Sequence, residues 1–172
     1  YHSHRIKAVA VDSSDNAVFA GYARDNWNKK DGYIMKLDSS FNKVFDKWQG
    51  EGYDDENMDV AVVNNGSIYA IGESASYNGA FSSNPAGYVA KLDTSGNGTG
   101  KSFTNTGNKS YAIGISSDGV NPYILGKDFN QRLHISKLDH NLSSVTWSYE
   151  FGATNANENY SRSLAEIDQR SK

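Results

Sequence analysis

Apolar residues along this chain come in short alternating runs of four to eight positions, separated by clusters of Asn, Ser, Asp and Gly. That period of two is the signature of half-buried β-strands bounded by turns. The runs fall into three groups of four. The first group is Ile6 to Asp12, Ala17 to Ala23, Tyr33 to Asp38 and Lys43 to Trp48. The second is Met58 to Val63, Ser67 to Gly72, Tyr88 to Asp93 and Lys101 to Thr104. The third is Tyr111 to Ser116, Tyr123 to Gly126, Leu133 to Asp139 and Val145 to Phe151. No long run with helical spacing interrupts them.

The groups are copies of one pattern. Each third strand ends in the same tripeptide, Lys36-Leu37-Asp38, Lys91-Leu92-Asp93 and Lys137-Leu138-Asp139. Each second strand carries a Gly at the matching place, Gly21, Gly72 and Gly126. A repeat of about fifty residues with four strands per unit predicts radially arranged β-modules. First strands favour small residues (Ala8, Ala10, Ala61, Ala112, Gly114), which suits inner strands near an axis. Trp48, Phe103 and Trp147 hold matching places in the fourth strands and are expected to anchor one sheet against the next.

The expected architecture is therefore all-β and of β-propeller type: about three four-stranded blades over residues 6–50, 57–107 and 110–152. Residues 161–168 match the first strand of a further blade. Three blades do not close a ring, so further repeats of the same chain, or another copy, are expected to complete the propeller. Further repeats are the favoured expectation.

The pattern resembles the SBBP-type (seven-bladed) β-propeller repeat of bacterial and archaeal surface proteins. The residues that carry the likeness are Gly-Tyr-Ile-Met-Lys-Leu-Asp at 32–38, Asn65-Gly66-Ser67-Ile68-Tyr69-Ala70-Ile71-Gly72, Trp147 and Phe151-Gly152. Two departures fall in turns, at Asp15 and at the inserted Val120-Asn121-Pro122. Trp-Asp endings, the kelch Gly-Gly doublet and the sialidase Asp box are missing from the sequence. The resemblance implies an extracellular or cell-surface scaffold, or an adhesion or ligand-binding module, seldom an enzyme.

Composition narrows the chemistry. A net charge of −3 over 172 residues gives no electrostatic reason to approach nucleic acid. With no cysteine, disulfides, thiolate nucleophiles and Cys-ligated zinc are excluded together. No apolar run reaches the roughly 20 residues of a membrane-spanning helix, so membrane insertion is not expected.

Candidate sites come from what the repeat does not copy. Asp38, Asp93 and Asp139 recur in every unit, which indicates a structural role; their neighbouring lysines share their strand face, and local ion pairing or solvation is the expected account of them. In Glu51 to Asp59, the carboxylates of Asp54, Asp55, Glu56 and Asp59 supply hard oxygen ligands of the kind calcium takes. The competing account is a solvated connector between repeats. His134 replaces the strand tyrosines Tyr33 and Tyr88 and, like His140, is read as ordinary variation. Gly96, Gly98 and Gly100 belong to a hairpin turn with no helix N-terminus beside them to bind phosphate.

The ligand-binding candidates are Tyr22, Trp27, Tyr77 and Phe81, aromatics in or beside the loops after the second strands, mixed with Asn and Ser. Aromatic faces flanked by amides suit sugar rings or peptides; the alternative is that Trp27 and Phe81 cap their own blades. The preferred function is a non-catalytic module binding glycan or protein. A polysaccharide-active hydrolase or lyase, with paired carboxylates, and a purely structural surface-assembly protein remain the alternatives.

Overall fold

The computed structural model describes residues 3–50, 53–75, 86–102, 111–127 and 133–151, and every regular element among them is a strand. Twelve strands follow one another as β1 (His4–Val11), β2 (Ala17–Arg24), β3 (Lys30–Leu37), β4 (Lys43–Gln49), β5 (Asp55–Val62), β6 (Ile68–Ser74), β7 (Ala86–Leu92), β8 (Gly98–Ser102), β9 (Tyr111–Ser117), β10 (Pro122–Lys127), β11 (Leu133–Leu138) and β12 (Val145–Phe151). They form three four-stranded antiparallel meanders, sheet A (β1 to β4), sheet B (β5 to β8) and sheet C (β9 to β12). The described residues close neither a barrel nor a ring. The segment 161–168, Phe103 and the side chain of Trp147 lie outside them.

Turn chemistry explains why each strand stops where it does. Asp12, Asp38 and Asp93 each accept hydrogen bonds from the backbone N–H groups two and four residues on. Asn16, Asn42 and Asn97 add a side-chain amide to the second carboxylate oxygen. These Asx turns need a left-handed residue in fourth place, supplied by Asp15 (φ 59°), Phe41 (φ 63°) and Gly96 (φ 80°). Asp15 thus keeps the same tight turn that Gly provides elsewhere. The third tripeptide's Asp139 caps a one-residue-longer turn through Asn141, Ser143 and Ser144.

The recurring Gly of the second strand also has a reason. In β1, β5 and β9 the register slips by one residue, between Ile6 and Ala8, between Asn57 and Asp59, and opposite Leu125 and Gly126. The bulge pushes the first strand's backbone toward its neighbour. A Cβ on Gly21 would lie 1.9 Å from the Arg5 carbonyl oxygen, and one on Gly72 would lie 1.8 Å from that of Glu56. No side chain fits there.

The sheets stack face to face, with β1 against β5 and β5 against β9, as the small-residue first strands predict. Between sheets A and B lie Val18, Ala20, Ile34 and Phe45 on one side and Val60, Ile68, Ala70, Tyr88 and Leu92 on the other. Between B and C lie Ala61, Tyr69, Ile71 and Val89 against Ile115, Ile124 and Leu138. The Tyr69 hydroxyl donates to the His140 carbonyl at 2.6 Å, and burial pushes its pKa up to about 12, with Asp139 adding to the rise.

Three expectations are corrected. Trp48 is not wedged between sheets: it is 42% exposed on the outer face of sheet A, stacked edgewise with Tyr33 and His4. The fourth-strand aromatic that packs inward is Phe45, 7% exposed, on which the Gly96 turn of sheet B rests. A register slip at Val44 puts Trp48 opposite Tyr33 on the outer side. Second, residues 55–59 are no connector but the start of β5, with Asp55 and Asn57 fully buried. Third, the repeat lysines do not pair with the aspartates two places on. Lys36 reaches Asp12 at 2.9 Å and Lys137 reaches Asp118 at 2.8 Å.

Candidate functional site

The β2–β3 hairpin closes over residues 25–29. Asp25 Oδ1 accepts from the N–H groups of Trp27 (2.9 Å) and Lys29 (2.8 Å), and its carbonyl accepts from Asn28 N–H (3.1 Å). Asn28 takes the left-handed position at φ 65°. The Arg24 guanidinium donates to the Asn28 carbonyl at 2.6 Å and ties the tip to its own strand. With the tip so held, the indole of Trp27 projects outward and is 81% exposed.

Beside it, the Lys29 ammonium lies 5.0 Å from the centre of the Tyr53 ring. Cation–π contact of this kind orients the lysine without removing it from solvent. Asn26 and Asn28 are exposed at the tip. The result is a ring face with amides and one cation around it, on a backbone that needs no ordering before a ligand arrives.

Tyr22 takes another role. Its ring is only 7% exposed, with Lys30 4.8 Å and Arg24 5.7 Å from its centre. It follows Gly21 in β2, in register with Gly32 of β3, and serves as a wall beneath the hairpin, not as an open platform. Tyr77 and Phe81 lie outside the described residues.

The four acidic candidates separate. Asp54 accepts the Lys30 backbone N–H at 2.9 Å. Asp55 turns inward and accepts from the Ser74 hydroxyl. Glu56 is clamped by Lys7 at 2.7 Å and Lys30 at 2.8 Å, and despite burial these two ammonium groups hold its carboxyl below the usual range. Asp59 accepts from Val60 and Ile115 N–H groups, each at 2.9 Å, which joins sheet B to sheet C; burial pushes its pKa up. Among the described residues no three His, Asp or Glu side chains are grouped to hold a metal ion.

One group escapes the sequence reading. Burial, then the charges of Asp25, Asp55 and Asp54, push the Asp31 carboxyl up. Asp31 and Asp55 both crowd Gly50, where a Cβ would sit 2.8 and 2.3 Å from their oxygens. Further in, Tyr88 donates to the Asn57 side-chain carbonyl, and the Asn57 amide donates to the Tyr33 carbonyl at 3.2 Å. Nothing in the sequence reading signalled it, since Asn57 falls in the segment read as a connector.

Comparison with models of known protein families and with curated proteins gave no match.

Proposed function

We propose that this chain is a part of a β-propeller built from SBBP-type repeats, and that it acts as a non-catalytic recognition module at the cell surface. Its ligand, a glycan or a protein segment, is taken at the β2–β3 end of sheet A. The observation that carries this reading is the presentation of Trp27: a large apolar ring, 81% exposed, on a turn held by five hydrogen bonds. An exposed ring costs nothing to desolvate further when a sugar face or an apolar side chain stacks on it, and a rigid tip loses little entropy on binding. The amides of Asn26 and Asn28 and the Lys29 ammonium supply polar contacts beside the ring. Stacked sheets of identical plan also support the propeller reading, since each sheet covers the next by the same face.

The test is a glycan and peptide array probed with the wild-type chain and with Trp27→Ala. Ligands retained by the wild type are expected to lose at least tenfold in affinity in the variant, with the melting temperature unchanged. Equal retention by both proteins, or no ligand at all, would sink the reading.

A further inference from the structure

Corresponding positions in the three sheets have different fates. Val9, Phe19 and Leu37 of sheet A match Val60, Ala70 and Leu92 of sheet B, and Ile115, Ile124 and Leu138 of sheet C, by register from the same turn. In sheets B and C this face is sealed: none of those six residues is more than 5% exposed. In sheet A the same face is less covered, with Val9 and Val11 58% and 61% exposed and Ile6 44%, while Phe19 and Leu37 are half-buried. A contiguous apolar face of this kind on a sheet is an interaction surface.

The molecule itself says what covers such a face. Over sheet B it is the opposite face of sheet A (Val18, Ala20, Ile34), and over sheet C it is the opposite face of sheet B (Tyr69, Ile71, Val89). The corresponding residues of sheet C are Tyr123, Leu125 and Ile135. Tyr123 and Ile135 are part-exposed and Leu125 is 6% exposed, whereas Val18, Ile34, Tyr69 and Val89 are at most 2% exposed. This chain therefore carries both halves of its own inter-sheet contact, at opposite ends of the stack.

We infer that the outer face of sheet A docks the outer face of sheet C from a second copy of this chain, continuing the stack across the molecular boundary. The contact is heterologous, so its product is a ring where the rotation closes and a longer array where it does not. It rests on the repeat's packing and not on the ligand reading, because Trp27 sits at the hairpin tip, outside both faces.

Sedimentation equilibrium over a wide concentration range tests it. The wild type is expected to rise above the mass of one chain as concentration increases. Val9→Lys with Val11→Lys blocks one side of the contact, and Ile135→Lys blocks the other; each alone is expected to stay monomeric. Mixed together, the two variants keep one intact face each and are expected to give a dimer that goes no further. Should Ile135→Lys fail to fold, hydroxyl-radical labelling of the wild type replaces it, with Met35 and Tyr123 both expected to gain protection as concentration rises. A wild type that stays monomeric throughout overturns the inference. So does association that survives in the Val9/Val11 variant, or protection of Met35 without protection of Tyr123.

Discussion

The ammonium of Lys36 lies 2.9 Å from the Asp12 carboxylate, and both side chains are almost wholly buried, 5% and 7% exposed. The pair joins the third strand of sheet A to the turn after its first strand. In sheet C the same relationship recurs between Lys137 and Asp118, but at 28% and 27% exposure. Sheet B has Val63 where the acid would stand. Lys91 there points to Asn141 at 3.3 Å and over the Tyr69 ring at 5.9 Å.

Removing the lysine should therefore cost different amounts in different sheets. Lys36→Met leaves Asp12 charged and buried, and is expected to lower stability by about 3 kcal/mol. Lys137→Met breaks a partly exposed pair and is expected to cost less, about 1 kcal/mol. Urea midpoints of the two variants decide it, and equal losses would contradict the burial argument.

The same acids predict a pH dependence. Burial acts to raise the carboxyl of Asp12, yet hydrogen bonds from Asn16, Lys36 and Ser14 hold it well below the usual carboxylate range. Asp118 is depressed in the same way, burial again opposing, by Lys137, Asn121 and Val120. A folded-state pKa below the unfolded one gives stability that is complete above the unfolded pKa, about 3.9, and is lost as pH falls through the folded value. Urea midpoints should thus change little between pH 7 and 5 on account of these groups and drop below about pH 4. In Lys137→Met that acid drop should be shallower, since the Asp118 shift shrinks.

Gly72 should tolerate nothing larger. The bulge at Asn57–Asp59 brings the Glu56 carbonyl to within 1.8 Å of the missing Cβ. The obstacle is backbone, so no side-chain rotation relieves it. Gly72→Ala is expected to cost about 3 kcal/mol or more, and Gly21→Ala a similar amount, measured by chemical denaturation. A neutral outcome at both would mean that the bulges are not held in solution.

The two aromatics of β4 give a further contrast. Phe45→Ala opens a cavity beneath the Gly96 turn and is expected to cost about 3 to 5 kcal/mol. Trp48→Ala removes a larger side chain from the outer face of sheet A and is expected to cost about 1 kcal/mol or less. Differential scanning calorimetry of the pair checks the order.

Much of this fold could be read directly from residue order. Alternating apolar positions set the strands, and clusters of Asn, Ser, Asp and Gly marked the turns, where a carboxylate accepts a hairpin's free N–H groups locally. The start of β5 was hidden for the opposite reason. Asp55 and Asn57 look like solvated loop residues until Ser74 and Tyr88, from two other strands, satisfy their polar atoms. The candidate site was half legible: Trp27 is where an exposed aromatic was expected, whereas Tyr22 is covered by side chains from its own and the neighbouring strand.

The sequence by itself determined the all-β class, the threefold plan and the tight turns, since each depends on residues within a few positions of one another. Tertiary structure decided which face of each strand is covered, where the repeat lysines find their acids, and why Gly must follow the bulge. Those outcomes depend on backbone register between strands and on contacts between sheets, and a shift of one residue exchanges the inner and outer faces of a strand. Trp48 and Phe45 lie three positions apart in β4 and so face opposite sides, and the register slip at Val44, ahead of both, decides which of them enters the core.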